Sequence, residues 1–329
     1  MRAFDHDTVQ SAEEAIAALA SGGSSTMLIA GGADLLSLMK SDLVAPARLI
    51  DLKPARDLRG ISVQPDGSVR IGALTTLTEI ERDDALAERL PILRAAVLDA
   101  ATPQIRNIAT VGGNLMQRTR CWYFRGPYTC WQKGGDWCFA RGGENKYHAI
   151  FDQSPCVSAH PSDLAPALLA LDASVAIQGP GGQRVIPLDA LLRPPTDERR
   201  HETTLEPSEL IVAVTIPAQP DGARGAYLKM MERHAWAYAL VSAAVQLAIQ
   251  DNAVTRARVI LGGVANIPYR VEAVEAYITG QALTTELAGA AADLAIVGAT
   301  PLARNQYKVS LARELVRRAV LLAAGMDWQ

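Results

Sequence analysis

The sequence predicts an α+β fold in two domains, and three patterns predict it. Residues 26–52 read as strand, glycine turn, helix and strand, a small β-α-β unit. Residues 226–262 hold three strand-like runs, apolar or alternating. Residues 268–324 then carry three helical patterns. The first domain is expected over 1–220 and two-lobed, with a β-α-β subdomain at 1–55 and a mixed α+β subdomain at 56–220. The second, at 221–329, is expected to be a three-stranded antiparallel sheet with a helix bundle. A chain of 329 residues is long enough for both cores.

The composition narrows the class. Apolar residues make up 49% and charged residues 20%, which are globular values. The net charge of −3 gives no reason to expect nucleic acid or an anionic membrane as a partner. The longest apolar run, 235–249, is too short to span a bilayer, so no membrane insertion is expected. Met1-Arg2-Ala3-Phe4-Asp5-His6-Asp7 has no apolar stretch of a secretory signal, and the expected location is the cytoplasm. Export of a folded complex by a signal-bearing partner is the alternative.

Taken in order, residues 11–20 read as a first helix, with Ser11 as its cap and Glu13 and Glu14 in the first turn. Gly22 and Gly23 end it. Residues 26–30 are a buried strand that runs into Gly31-Gly32-Ala33-Asp34-Leu35, with a helix through Lys40 and a strand at 48–52. Adjacent glycines after a buried strand let backbone N–H groups approach an anion such as pyrophosphate, and the helix start adds its dipole. A tight turn that needs positive φ reads equally well. Neither G-x-G-x-x-G nor a P-loop is present. A strand at 69–74 and helices at 77–81 and 91–100 follow. A second glycine pair then stands at Thr110-Val111-Gly112-Gly113-Asn114, where the Thr110 and Asn114 side chains can donate to phosphate or flavin oxygens.

The stretch 121–156 carries the strongest chemical signal. All 4 cysteines of the chain lie here: Cys121, Cys130, Cys138 and Cys156. So do Trp122, Tyr123, Phe124, Tyr128, Trp131, Trp137, Phe139, Tyr147 and Phe151, in a chain with only 5 Trp, 8 Tyr and 4 Phe. Four thiolates suit zinc or an iron–sulfur cluster. The spacing C-x8-C-x7-C-x17-C does not decide between them, since the paired C-x2-4-C turns of zinc ribbons and the C-x2-C-x2-C of bacterial ferredoxins are both absent. An apolar shell tunes a redox potential, so the aromatics favour a [4Fe–4S] cluster. Disulfides are the bland alternative, and a chain this long has no evident need of them. His148 and His160 flank Cys156 and read as packing or surface residues, not ligands.

Beyond the loop, Asp163 heads an apolar helix at 164–171, hairpin strands are expected at 173–178 and 184–188, and 193–207 reads as an exposed connection. A strand at 209–217 closes the first domain. Lys229, Arg233 and Lys308 read as solvated charges, with phosphate or a partner chain as the sharper alternative. No nucleophile–base pair points to hydrolysis, and no catalytic residue is assigned.

The runs Ala30-Gly31-Gly32-Ala33-Asp34-Leu35-Leu36 and Ile105-Arg106-Asn107-Ile108-Ala109-Thr110-Val111-Gly112-Gly113-Asn114-Leu115 resemble the FAD-binding subunit of the molybdenum hydroxylases, the xanthine dehydrogenase, carbon monoxide dehydrogenase and aldehyde oxidoreductase family. Ser162-Asp163-Leu164-Ala165-Pro166-Ala167-Leu168 and Leu261-Gly262-Gly263-Val264-Ala265 match two further stretches, so the likeness covers nearly the whole chain in order. A subset of the family carries a cysteine loop with a [4Fe–4S] cluster, as in 4-hydroxybenzoyl-CoA reductase medium subunits and bacterial molybdenum aldehyde oxidoreductases. Gln117-Arg118-Thr119-Arg120-Cys121-Trp122-Tyr123-Phe124 looks closer to the aldehyde type. The resemblance implies non-covalent FAD held by Leu28, Ile29, Ala30, Gly31, Gly32, Ala33, Asp34, Leu35, Thr110, Gly112, Gly113, Asn114, Asp163, Ile211 and Leu240. It implies a [4Fe–4S] cluster on the four cysteines in a loop spanning 117–160. It also implies electron transfer within a heteromer containing a molybdenum cofactor-binding large subunit and a [2Fe–2S] small subunit, and then to an external acceptor. Ala33 departs from the usual threonine and removes a hydroxyl. A zinc-stapled scaffold, a self-sufficient flavin oxidase, and a medium subunit of the 4-hydroxybenzoyl-CoA reductase or xanthine dehydrogenase type are the competing readings.

Overall fold

The computed structural model describes residues 1–233 and 236–328. Three sheets organise it. The first is parallel, in the order β1-β3-β2, with β1 Asp5–Thr8, β2 Thr26–Ile29 and β3 Arg48–Asp51. The helix Ala12–Gly22 links β1 to β2; its cap is Ser11, whose hydroxyl accepts from the Glu14 amide. The helix Leu35–Lys40 links β2 to β3, completing the expected β-α-β unit. Strand β1 has no apolar alternation, only Asp-His-Asp-Thr, and was not legible in the sequence. It is held by its parallel register, Asp5 opposite Arg48 through Thr8 opposite Asp51.

The second sheet is antiparallel, in the order β4-β5-β8-β6-β7, from β4 Ile61–Val63, β5 Val69–Gly72, β6 Ser174–Gly179, β7 Gly182–Pro187 and β8 Leu210–Ile216. The helices Pro91–Leu98 and Leu164–Ala170 cover one face, burying Leu93, Ala96, Val97, Leu164 and Leu168 against Ile71, Val175 and Val214. Leucine and isoleucine side chains of this kind contribute about 1.5–3 kcal/mol each when fully buried.

The third sheet runs β12-β11-β10-β9, antiparallel throughout, from β9 Ala223–Met230, β10 Val241–Gln250, β11 Ala253–Gly262 and β12 Tyr269–Arg270. The two-residue β12 adds a fourth strand to the three expected. The helices Glu272–Ile278, Thr285–Leu294 and Tyr307–Ala323 pack over this sheet and share one core with Val245, Val259 and Leu261. Ile150 and Phe151, at the far end of the cysteine stretch, belong to that same core, and Phe151 stacks on Tyr269 at 4.0 Å. The cysteine stretch is therefore pinned to the C-terminal part at its exit. At its entry Phe124 and Cys130 pack with Leu38 of the β-α-β unit.

Two expectations need correcting. Residues 193–207 are exposed only in part. Trp131 donates its indole N–H to Asp197 at 3.1 Å, Arg200 donates to the Trp131 and Gly135 carbonyls, and the buried Glu202 accepts from Gln132 at 2.5 Å. The segment straps the cysteine stretch because that stretch's irregular backbone and side chains present carbonyls and N–H groups that a charged segment can bond. Nor are Lys229 and Lys308 solvated: the Lys229 side chain is 0% exposed and Lys308 is fully buried. Arg233 alone of the three is exposed, donating to the Trp236 carbonyl.

Candidate flavin cavity and cysteine centre

A cavity of about 1810 Å³ opens between the β-α-β unit and the five-stranded sheet. Drug-sized ligands occupy roughly 300–1,000 Å³, so this one suits a long, two-part molecule. Its wall includes Leu28, Ala30, Gly31, Gly32, Ala33, Asp34 and Leu35 from the first glycine turn. Thr110, Gly112, Gly113, Asn114, Asp163 and Ile211 line it as well. The fold thus brings together residues far apart in the chain. Ile29 stands elsewhere, packed with Met39 and Leu49 in a small core, and Leu240 is not part of the wall. In the connection between β9 and the following strand, Tyr238 reaches the cavity and Leu240 does not.

The first glycine turn has two separate reasons for its glycines. Gly32 takes φ +72, which only glycine adopts freely. At Gly31 a Cβ would lie 1.7 Å from the Ile108 carbonyl oxygen, so the turn packs directly on the backbone leading to the second glycine pair. That second pair is not a turn. Gly112 and Gly113 sit inside a one-turn helix, Val111–Leu115, capped by Thr110, whose hydroxyl accepts from the Gly113 amide. The sequence Thr-Val-Gly-Gly-Asn carried the cap signal, and the glycines masked it. The Gly112 amide donates to the Ala73 carbonyl at 2.8 Å, and Asn114 Oδ1 accepts from Ser162 at 2.5 Å.

Asp34 precedes the helix Leu35–Lys40 without capping it. Its carboxylate turns instead to the start of the cysteine stretch. It accepts from the Arg118 amide at 2.9 Å, from Arg125 at 2.8 Å and from Arg120. Burial opposes its ionisation, but Arg120, the Arg118 amide and Arg125 outweigh that and hold its pKa below the usual carboxylate value. The first-turn amides of that helix keep no side-chain acceptor of their own. Arg118 also pairs with Glu202 at 3.3 Å and lies 4.9 Å over the Phe124 ring, and Arg120 lies 5.0 Å over Tyr238. These arginines were missed in the sequence, although the run Gln-Arg-Thr-Arg beside Cys121 placed two charges at the loop entrance.

Asp163 sits at the cavity edge, 5% exposed. Its oxygens accept from the Tyr227 hydroxyl and from Lys229, each at 2.8 Å. Burial raises its pKa, and the Lys229 ammonium pulls it back down. Lys229 also donates to the Asp99 carbonyl. The charge is thus held by β9, in the C-terminal part. Tyr227→Phe should remove one of two bonds to a buried carboxylate and destabilise the protein by about 1–2 kcal/mol. Urea unfolding at pH 7 reads this; an unchanged midpoint would show that the hydroxyl contributes nothing.

The cysteines form a second, smaller centre. Cys121, Cys130, Cys138 and Cys156 all line one small cavity with Tyr123, Phe124, Trp131 and Phe139, and all four are free thiols. Trp122 and Trp137, expected in that shell, are instead 40% and 59% exposed. Among the described residues no three His, Cys, Asp or Glu side chains gather closely enough to hold one metal ion. The Cys156 thiol hydrogen-bonds Cys138 and pulls its pKa down, while burial pushes Cys121 up to about 11. His148, expected as a packing or surface residue, presents Nε2 to the Cys121 sulfur at 3.2 Å. His160 is buried, lines the large cavity, and burial pushes its imidazole down to about 4.

Residues 2–219 match the family described as the FAD binding domain in molybdopterin dehydrogenase. The chain belongs to this flavoprotein family. Residues 226–323 match the CO dehydrogenase flavoprotein C-terminal domain. The aldehyde oxidoreductase FAD-binding subunit PaoB of Escherichia coli strain K12 is 39% identical over 95% of this chain and 96% of its own length. The carbon monoxide dehydrogenase medium chain of Hydrogenophaga pseudoflava is 30% identical over 96% of each. The solved carbon monoxide dehydrogenase from Hydrogenophaga pseudoflava superposes with a TM-score of 0.79 at 29% identity, covering 98% of both chains. Quinoline 2-oxidoreductase from Pseudomonas putida 86 superposes with a TM-score of 0.77 at 25% identity, again over 98% of both. This flavoprotein is therefore an oxidoreductase subunit, aldehyde oxidoreductase-like within the molybdenum hydroxylases. Among its described residues no helix is long and apolar enough to cross a membrane.

Proposed function

We propose that this chain is the electron-transfer subunit of a heteromeric molybdenum hydroxylase that oxidises aldehydes, carrying FAD in the large cavity and a [4Fe–4S] cluster on Cys121, Cys130, Cys138 and Cys156. The observation that carries this reading is a shared wall: Phe124 and Gln132 line both the large cavity and the cysteine centre. Two redox groups so placed would be separated by little more than one layer of side chains. The likeness to an aldehyde oxidoreductase subunit favours aldehydes as the substrate class of the complex. A molybdenum cofactor-binding large subunit and a [2Fe–2S] small subunit are its proposed partners, with an external acceptor at the end. The proposed units of the chain are 1–220 and 221–329.

When bound, flavin and cluster supply the one- and two-electron chemistry that side chains lack. The chain's own residues bind, orient and shield. Ala30 to Leu35 offer backbone and an uncapped helix start to an anionic pyrophosphate. Thr110, Gly113 and Asn114 line the same space. Tyr123, Phe124, Trp131 and Phe139 restrict water at the cysteines. Four cysteines lining one small cavity would hold a cubane with one thiolate on each iron, and four thiolates are also the donor set of a structural zinc.

Anaerobically purified complex is expected to contain FAD and about four iron and four sulfide per copy of this chain, from the composition of a cubane. Each single Cys→Ser change should lower iron and sulfide together, because an alcohol is a harder, poorer ligand. One zinc without sulfide, or two disulfides, would overturn the cluster assignment. Purification of this chain free of molybdenum- and iron–sulfur-containing partners would overturn the heteromer.

A further inference from the structure

We propose that His148 is a positioning residue for the cysteine centre: its Nε2–H donates a hydrogen bond to the Cys121 sulfur and makes the bound cluster easier to reduce. This rests on the cluster reading above. The ring nitrogen lies 3.2 Å from the sulfur, and the residue is 3% exposed. The other ring nitrogen, Nδ1, is buried and has no hydrogen-bond partner among the described residues. That asymmetry assigns the proton. A proton on Nδ1 alone would bury an N–H without an acceptor and leave Nε2 facing sulfur with a lone pair. A proton on Nε2 gives the sulfur a donor, which a thiolate accepts well.

The ring is fixed from outside the cysteine stretch. The His148 carbonyl accepts from Asn305 at 3.1 Å and from Lys308 at 3.0 Å, both at the start of the helix Tyr307–Ala323 or just before it. Its amide donates to the Asn145 carbonyl. Trp122 and Tyr123 flank the ring, each with a centroid 6.2 Å away. The C-terminal part thereby sets the position of a donor at a centre built by the N-terminal part. Reduction adds negative charge, part of which resides on the sulfurs. An N–H aimed at one of them stabilises the reduced form more than the oxidised one and raises the potential.

The test uses the anaerobically purified complex. In the reduced wild type with ¹⁵N-histidine, electron–nuclear double resonance should show one weakly coupled ring nitrogen, the signature of an N–H···S contact. His148→Leu should keep iron and sulfide while its cluster midpoint moves to more negative potential; the flavin midpoint should stay in place. His148→Gln, which retains an N–H donor, should lie between the two. A strongly coupled nitrogen would make His148 an iron ligand and overturn the proposal, as would no coupled nitrogen. An iron-bearing His148→Leu protein with an unmoved cluster midpoint would overturn it also, while leaving the cluster reading intact. A wild type free of iron and sulfide would overturn both. Should the leucine variant lose iron, the wild-type nitrogen coupling alone decides.

Discussion

Gly31→Val is expected to abolish flavin binding and to destabilise the protein by roughly 4 kcal/mol or more, a size reserved for a small set of mechanisms. The cause is backbone against backbone. A Cβ at Gly31 would lie 1.7 Å from the Ile108 oxygen and 2.6 Å from its carbonyl carbon. Neither is the end of a flexible side chain that can swing away. Ile108 itself is tied, because its amide donates to the Ile105 carbonyl and the neighbouring Ala109 carbonyl accepts from the Leu77 amide. The two glycine segments would have to part, and both line the cavity. Gly32→Ala should cost less, about 1–2 kcal/mol, since its difficulty is a left-handed φ of +72 and the nearest atoms belong to the Leu36 and Ile29 side chains. Gly142→Ala is the control, with nothing within 4 Å of the added carbon and an expected effect inside about 0.5 kcal/mol. Flavin absorbance after desalting, with urea unfolding, separates the three. A Gly31→Val protein with full flavin and the wild-type midpoint would refute the packing account.

Lys308→Met is expected to cost roughly 2–4 kcal/mol at pH 7 and to change how stability depends on pH. The ammonium lies in the interior and donates to the carbonyls of Gly263 at 2.7 Å, His148 at 3.0 Å and Tyr147 at 3.1 Å. Methionine fills the volume but leaves the Gly263 and Tyr147 oxygens without that donor, at about 1–3 kcal/mol for each buried group. Relief of the buried charge offsets part of the loss. Burial lowers the lysine from 10.5 to about 7 in the folded chain. Between those two values the unfolded chain holds a proton that the folded chain has released, so the wild type gains stability as pH rises through that window. Below about 7 both states are protonated and this contribution is flat. The methionine variant lacks the slope. Its stability deficit should therefore widen between pH 7 and pH 9, read by urea unfolding at each; a constant deficit would show that the lysine titrates normally in the folded protein.

Much of the architecture was legible because it rests on periodicity. The runs at 241–250 and 253–262 are long, apolar and β-branched, and they pair in the expected antiparallel sheet. The helix cap at Ser11 follows from a single residue at a fixed offset. Strand β1 was not legible because its residues are polar and its stability comes from a partner forty residues away. The one-turn helix around Gly112 was hidden for a different reason: glycine weakens a helix in isolation, and here the Ala73 carbonyl and the Thr110 cap hold it.

The candidate site divides along the same line. Gly31, Gly32, Gly113 and the four cysteines were visible because few residue types serve in their places. Ile29 lies outside the cavity wall because strand neighbours face opposite ways, and a run of apolar residues does not show which face meets the cavity. Arg120, Arg125, Glu202 and Tyr227 gain their roles only from partners far away in sequence. A charge on its own reads as solvent-exposed until the fold supplies its counterpart.

The Asp34 carboxylate, gripped by Arg120 and Arg125, ties the first glycine turn to the entrance of the cysteine stretch. If the proposed cluster fills the cysteine centre, it fixes Cys121, which lies between those two arginines in the chain, and with it the groups that hold the glycine turn. Any free energy of coupling between the proposed cluster and the flavin is then the same in both directions: the factor by which one changes the affinity for the other does not depend on which binds first.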